Sequence, residues 1–241
     1  MIGTKKGFAV FLMVLCLSLL GATPSMGAGK GVRVKKTFQK YSTKTEDSLH
    51  VMFGAEQKVL SRATKTMKLS CTLYIPSGAL KKGDFIAFDP MTYLFDKDGF
   101  YGTIFGKFNV QLELNAKNEP VLKKGTENGL SALSSKYGSV TKKKGYYVVK
   151  LKKLPLCSWA FEGTPDHKVK INTKKNVYLA TYVRVYRHSS RKWTGSLFID
   201  DLILYAKKTL KMTFDKKDYG DVFAYLFVEG KAKAVVSKLP F

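Results

Sequence analysis

Histidine is scarce in this chain, and its three residues lie far apart. His50, His167 and His188 have none of the spacings of a metal-binding motif among the 241 residues. There is no Gly-x-Ser-x-Gly elbow, no His-Glu-x-x-His helix and no phosphate loop. Neither Cys71 nor Cys157 has a histidine nearby in sequence, so a thiol enzyme has no positive support. A carboxylate pair for glycoside hydrolysis stays open, because its separation belongs to the fold and not to the spacing. Acidic residues are few as well, 18 against 42 Lys and Arg, for a formal net charge of +24. Beyond the leader described next, no apolar run is long enough to span a bilayer, no convincing long helix is visible, and no internal repeat occurs. These absences leave a non-catalytic β protein as the expectation.

What is present begins with an export signal. Lys5 and Lys6 form a basic n-region, Phe8 to Leu20 an apolar h-region, and Ser25 and Gly27 suit cleavage before Ala28. Residues 1–27 therefore read as a secretory signal peptide, with an uncleaved N-terminal anchor as the alternative. The mature chain is expected to be periplasmic, at the cell surface or extracellular, without a transmembrane segment. Its positive charge favours acidic partners such as acidic polysaccharide, lipopolysaccharide, teichoic-type polymer or anionic lipid. Nucleic acid is not an expected partner outside the cytoplasm. Because the lysines are spread along the chain, surface solubility is the competing explanation. Export leaves Cys71 and Cys157, an even count that permits one disulfide. Cys71 shares the apolar face of LSCTLYI with Leu69, Leu73 and Ile75, and Cys157 follows the strand end Leu154-Pro155-Leu156. A Cys71–Cys157 bridge and two buried free thiols both fit, and the bridge is the expectation.

Strand signals dominate the rest. Runs at Ser48–Phe53, Lys68–Pro76, Asp84–Phe88, Thr92–Phe95 and Phe100–Phe105 come first, with Asp96-Lys97-Asp98-Gly99 as a tight hairpin. Lys107–Leu114 alternates, with Phe108, Val110, Leu112 and Leu114 on one face and Lys107, Asn109, Gln111 and Glu113 on the other. Residues 28–44 are Gly- and Lys-rich and are expected to begin as a mobile segment. Residues 115–145 read as a long loop with one helical turn near Leu130–Ser135. Strands resume at Tyr146–Leu151, Lys168–Ile171, Val177–Tyr186 and Ser196–Tyr205. In VYLATYVRVY, Val177, Leu179, Thr181, Val183 and Val185 share one face, and Tyr178, Tyr182, Arg184 and Tyr186 the other. In SLFIDDLILY the apolar parity slips at Asp200 and Asp201, the mark of a bulge. Many short strands with turns between them predict an all-β sandwich over residues 28–205. Three further runs, Thr209–Phe214, Val222–Val228 and Lys231–Leu239, predict a C-terminal β-meander over 206–241, packed on or beside the sandwich.

Three segments carry a family resemblance. LSCTLYIPSGALKKG, YYVVKLKKLPL and SLFIDDLILY resemble the early, later and terminal strands of carbohydrate-binding modules of the galactose-binding-like jelly-roll type, over residues 48–205. The resemblance implies a jelly-roll β-sandwich that presents a sheet face or loop end to a glycan. It also implies a structural calcium, with Asp200 and Asp201 matching the family's terminal aspartate pair. The early segment Lys36-Thr37-Phe38-Gln39 departs from the pattern by placing glutamine where an acid is usual, with Glu46 or Asp47 as substitutes.

Sugars expose C–H faces that stack on aromatic rings and hydroxyls that need amides, carboxylates or guanidinium. The ligand-binding residues expected are therefore Tyr178, Tyr182, Arg184 and Tyr186 from one strand and Asn109 and Gln111 from another. They make a joint site if the two strands share a sheet, and burial of the tyrosines under another layer is the alternative. Trp193, after the basic turn Arg187–Lys192, is a separate loop-end candidate, and Trp159 reads as core. The function expected is an exported glycan-binding sandwich favouring acidic polysaccharide or another cell-envelope polymer. One alternative is a structural or assembly protein of the envelope that uses the same fold to bind a protein partner. Another is a jelly-roll polysaccharide lyase using Tyr182, Arg184, Tyr186 and His188.

Overall fold

The computed structural model describes residues 29–42, 48–53, 60–62, 64, 66–96, 99–126, 128–162, 167–171, 174, 176–207, 209–212, 214, 222–225 and 233–241. Of these, 50–53, 60–62, 95–96, 99–101, 176–182, 212, 222–225 and 233–234 are described by their backbone alone. The signal-peptide segment, Glu46 and Asp47 lie outside the described residues.

The chain opens with β1 (Lys30–Phe38), β2 (Ser48–Phe53), β3 (Leu60–Arg62) and β4 (Lys68–Pro76). A 3-10 turn at Ser77–Ala79 leads to β5 (Phe85–Asp96), β6 (Gly99–Phe105), β7 (Asn109–Leu114) and β8 (Pro120–Thr126). Next come β9 (Gly129–Ala132), β10 (Gly138–Lys143), β11 (Tyr146–Pro155), β12 (Trp159–Phe161) and β13 (Lys168–Lys170). The long strands β14 (Asn176–His188) and β15 (Trp193–Tyr205) precede β16 (Thr209–Met212), β17 (Val222–Tyr225) and β18 (Lys233–Lys238). No α-helix occurs among the described residues.

These strands form two antiparallel sheets. The seven-stranded sheet runs β10-β11-β4-β15-β1-β18, with β16 on β15. The eleven-stranded sheet runs β13-β12-β6-β5-β14-β2-β17, with β3 on β14 and β7, β8 and β9 branching from β5. Within them, β1-β15-β4-β11 and β2-β14-β5-β7 are the two interleaved orders of a jelly roll, in which the chain alternates between sheets and its last long strand returns beside its first. The all-β sandwich expected from strand spacing is what forms.

The period-2 pattern explains the core. Leu69, Cys71, Leu73 and Ile75 of β4 turn inward and meet Ile86, Phe88, Val110, Leu112, Val183 and Val185 from the other sheet in one buried cluster. The parity slip at Asp200-Asp201 is a bulge: the β15–β4 register shifts between Asp200 and Ile203, and Asp201 has φ 50°. It returns Leu202 and Leu204 to the core, where both are fully buried. A second bulge, on the other side of β4, shifts β11 between Leu151 and Leu154. There the Lys153 N–H donates to Ser70 Oγ at 2.7 Å.

Several local expectations are corrected. Residues 30–38 are not mobile: β1 is an interior strand between β15 and β18, with Val32 and Val34 fully buried. Its lysines masked an alternating Val-x-Val pattern. Pro90 does not separate two strands, because β5 runs through it. The long loop and helical turn expected over 115–145 are instead β8, β9 and β10, short polar strands whose exposed faces carry little hydrophobic signal. The three strands after residue 206 exist, but each pairs with an earlier strand, β16 with β15, β17 with β2 and β18 with β1. β17 and β18 widen the two sheets at their edges and β16 continues the row of β1 beside β15; among the described residues the three are not hydrogen-bonded to one another as a meander would be.

After β18 the chain crosses the outer face of the seven-stranded sheet. The Leu239 N–H donates to Gly29 O at 2.8 Å. Gly31 is needed under this crossing, since a Cβ there would come within 2.5 Å of Leu239 Cδ2 and 3.0 Å of Ile199 O. Phe241 meets Tyr74 and Tyr146 edge-on at 5.6 and 6.0 Å, with Lys143 Nζ 4.5 Å from its ring centre. Burial, with the nearby charges of Asp200 and Asp201, pushes the Tyr74 hydroxyl up to about 12. The last residues thereby cover part of this face, on which Arg33, Lys35 and Lys150 remain exposed.

The expected disulfide does not form: Cys71 and Cys157 are both free and buried. The Leu156 N–H bonds to Met67 O, so the cysteine that follows lies beside the start of β4, whereas Cys71 pairs across to Leu151 in its middle. An offset of about four residues at ~3.3 Å each is roughly 13 Å, well beyond the ~7 Å limit between bridged Cα atoms. Burial, with Asp201 adding to it, pushes the Cys71 thiol up to about 12. Alkylating reagent at about pH 8 should therefore leave Cys71 unmodified in the native protein, and a reductant should not shift the melting temperature. Rapid native labelling, or a lower Tm on reduction, would contradict this arrangement.

Candidate functional site

The outer face of the eleven-stranded sheet is assembled by β5, which pairs with β14 on one side and β7 on the other. Ala87 stands opposite Tyr186 of β14 and opposite Gln111 of β7. One step along, Asp89 stands opposite Arg184, and Asn109 follows on β7. Val110, Leu112, Phe88, Val183 and Val185 have the opposite parity and are buried in the core, so the polar and aromatic set faces outward. The sequence placed Arg184 and Tyr186 on one strand face and Asn109 and Gln111 on another; the fold brings both onto one side of one sheet, two strands apart. Tyr182 pairs with Met91 and Tyr178 with Phe95, on the same strand parity as Arg184, but their side chains lie outside the described residues.

The aromatic half is a ladder. The His188 imidazole lies between the Tyr41 ring, at 3.8 Å, and the Phe85 ring, at 4.7 Å and nearly parallel. Phe85 meets Tyr186 edge-on at 6.3 Å. The Arg184 guanidinium lies 5.5 Å from the Tyr186 ring centre, and its Nη1 is 3.7 Å from Asp89 Oδ2. Both side chains of that pair are about one-fifth exposed. Phe85, Asp89 and Tyr41 were not among the expected site residues, and His188 was named only for the lyase alternative. The parity of Phe85 and Asp89 on β5 and of His188 on β14 was readable, but the pairing that makes them neighbours, and the place of Tyr41 after β1, were not.

The amide half opens into a cleft of about 370 Å³ lined by Asn109, Gln111, Gly125, Thr126, Gly129 and Leu130. The β8–β9 hairpin makes its far wall. Gly125 has no room for a side chain, because a Cβ there would collide with Asn109 Oδ1. Gly129 takes φ +103°, a conformation that favours glycine, and its carbonyl accepts from Thr126 Oγ1 at 3.2 Å. Leu130 stands on the lip, 52% exposed. Gln111 is only 8% exposed. Its Oε1 and the Oδ1 of Asn109 are buried and accept no hydrogen bond. A buried acceptor without a donor costs about 1–3 kcal/mol, so these two oxygens are a local cost to the fold beneath the cleft. Lys123 Nζ is 2.5 Å from Glu113 Oε1 on the flank.

The other expected residues lie elsewhere. Trp193 starts β15 in the other sheet, half-buried, stacked on Phe38 at 6.0 Å and covering Gly195, where a Cβ would strike its ring. It is placed as a packing anchor at the sandwich end, away from the Tyr186 face. Asp200, 8% exposed, and the exposed Asp201 lie at the β15 bulge. Gln39 follows the opposite end of β1, where Phe38 pairs with Trp193, so it does not join them. Among the described residues no group of three His, Cys, Asp or Glu side chains converges as a metal site. Glu46 and Asp47, the substitute early acids, lie outside the described residues, and no role is derived for that ion.

The fold and the site define a jelly-roll sandwich with one sheet face partly covered by its own C-terminal residues and the other carrying an aromatic ladder beside an amide-lined cleft. No family model, no curated protein and no solved structure matches this chain.

Proposed function

We propose that the protein is an exported glycan-binding sandwich that acts without chemistry on its ligand, through the outer face of the eleven-stranded sheet. The observation that carries this reading is the meeting, on one face, of the Tyr186–Arg184 ladder with the Asn109–Gln111 cleft. A sugar chain laid across it would place C–H surface on Tyr186 and Leu130 and hydroxyls over the two amides. The net charge, +24 for the whole sequence and +22 once Lys5 and Lys6 leave with the signal peptide, adds long-range attraction for acidic envelope polymers, an effect that salt screens. The imidazole of His188 is held between two rings, which supports a packing role over a proton-transfer role.

A glycan array followed by calorimetry at two salt concentrations tests the reading. Retention of at least one polysaccharide is expected, with Tyr186→Ala weakening it about tenfold, or about 1.4 kcal/mol. Retention of none would remove the proposal. Capture of a stoichiometric envelope protein in its place would favour the assembly role, and unsaturated, ultraviolet-absorbing ends released from polyuronates would favour the lyase.

A further inference from the structure

We infer that the outer face of the seven-stranded sheet is a second binding surface, and that it takes a linear acidic polysaccharide. This surface lies on the opposite side of the sandwich from the face proposed above and does not depend on it. Along the chain the lysines look evenly spread, but the fold sorts them. The strands of the seven-stranded sheet carry thirteen Lys or Arg against two acids, Asp200 and Asp201. Those of the larger, eleven-stranded sheet carry only seven against three. Lysines that served solubility alone would have no reason to favour one sheet, and like charges gathered on one surface repel each other.

Strand parity points the excess outward. Arg33 and Lys35 alternate with the buried Val32 and Val34, and Lys150 stands between the buried Val149 and Leu151. Lys68 precedes the buried Leu69, Lys211 follows the buried Leu210, and Lys143 pairs with the outward Tyr146. All six are exposed. Among the described residues none of them forms an ion pair. The two acids share one bulge, and Asp200 is buried beside Gly31, where Leu239 crosses. Lys143 and Lys35 stand four strand spacings apart, roughly 19 Å at ~4.8 Å each. Cations spread over that width suit an extended chain with repeated anionic groups better than a single small anion. Five of the six are lysines, point charges that respond to charge density and lack the fork with which arginine grips one phosphate. The apolar groups on this face are sunk among the cations, with Phe198 7% and Val148 6% exposed, so they do not stand out to enter a bilayer. Val236, which is exposed, pairs with Val32 and has the inward parity. Thr141 and Ser196, on the outward parity beside Val148 and Lys35, add hydroxyls that suit those of a sugar chain.

Two variants that each remove three positive charges test this by calorimetry with polyuronate and sulfated oligosaccharides. One carries Arg33→Gln, Lys35→Gln and Lys150→Gln on the face; the other carries Lys40→Gln, Lys82→Gln and Lys117→Gln, all exposed and outside this sheet's strands. The first should weaken the acidic probe about tenfold and the second less than about threefold, although the net charge is the same. Wild-type binding should fall at least about tenfold between about 50 mM and about 500 mM salt. Neither variant should lower Tm, because the six side chains are exposed. As a check without mutation, bound polyuronate should protect Lys35 and Lys150 from acetylation and leave Lys82 and Lys117 reactive. Equal weakening by both variants would overturn the inference, since charge would then act only as a field of the whole molecule. Tighter binding of anionic lipid vesicles or of single-stranded nucleic acid than of either acidic sugar would overturn it as well. Loss of binding in Tyr186→Ala, with full binding by the Arg33/Lys35/Lys150 variant, would remove this surface and leave the glycan site of the other sheet standing. Retention of a neutral glycan with no acidic probe bound would do the same.

Discussion

Replacing Asp84 by alanine is expected to destabilise the protein by about 3 kcal/mol, because it strands a buried guanidinium. The Arg187 side chain is completely buried, and its Nη2 is 3.3 Å from Asp84 Oδ2. Its Nε donates to Ala79 O at 2.8 Å, its Nη2 to Ser189 Oγ at 2.8 Å, and its Nη1 to Arg191 O. Asp84 Oδ2 also accepts from Arg191 Nη2 at 2.9 Å and from the Lys81 N–H at 3.0 Å. This cluster ties the β4–β5 connection to the β14–β15 turn, directly behind His188 and Tyr41. Burial lowers Arg187, with Arg191 adding to it and Asp84 opposing, but a guanidinium stays charged in a protein. Removing its carboxylate therefore leaves an uncompensated charge.

Burial acts to raise the Asp84 carboxyl, but hydrogen bonds from Ser189, the Lys81 N–H and Arg191, with the charge of Arg187, outweigh it and hold the group below its ordinary value. A depressed folded pKa contributes stability that is fully present above the unfolded value of about 3.9. That contribution is lost as pH falls through the folded value. Urea unfolding of the wild type should thus show a loss on acidification that Asp84→Asn lacks. Equal acid sensitivity in both proteins, or an Asp84→Ala effect below about 1 kcal/mol, would show that the cluster does not hold this end together.

Leu73→Ala is expected to cost about 3 kcal/mol, within the range for large-to-small core changes. Leu73 lies at the middle of β4, opposite Val149 on β11 and Ile199 on β15, and all three are fully buried. β11 and β15 flank it and the other sheet packs over the shared core, so the space cannot close by a side chain swinging in from solvent. The urea midpoint should fall with an unchanged m-value. A loss below about 1 kcal/mol would mean that the two sheets can relax toward each other there.

Within single strands, residue chemistry was legible from sequence because the period of a strand is local. The outward parity of Arg184 and Tyr186, the outward parity of Asn109 and Gln111, the inward parity of Cys71 and the bulge at Asp200-Asp201 all follow from alternation. Polar strands such as β9, exposed along its length, left no alternation to read. Where alternation was present but lysine-rich, as in β1, composition misled.

Register and strand order come from contacts far apart in the chain, and there local pattern carries no information. Asp84 meets Arg187 and Arg191 across 103 and 107 residues. The same nonlocal pairing sets Cys157 near Met67 and away from Cys71, and seats Trp193 on Phe38. Side-chain alternation and turn chemistry in the sequence determined that this would be a two-layered β protein and which residues would face outward. Tertiary structure alone decided that β5 should lie between β7 and β14, joining amides to aromatics, and that Leu239–Phe241 should cross part of the opposite sheet. The reason is physical: a strand's faces are set by its own backbone, but its neighbours are chosen by which pairing buries the most apolar surface while leaving every ladder hydrogen bond satisfied.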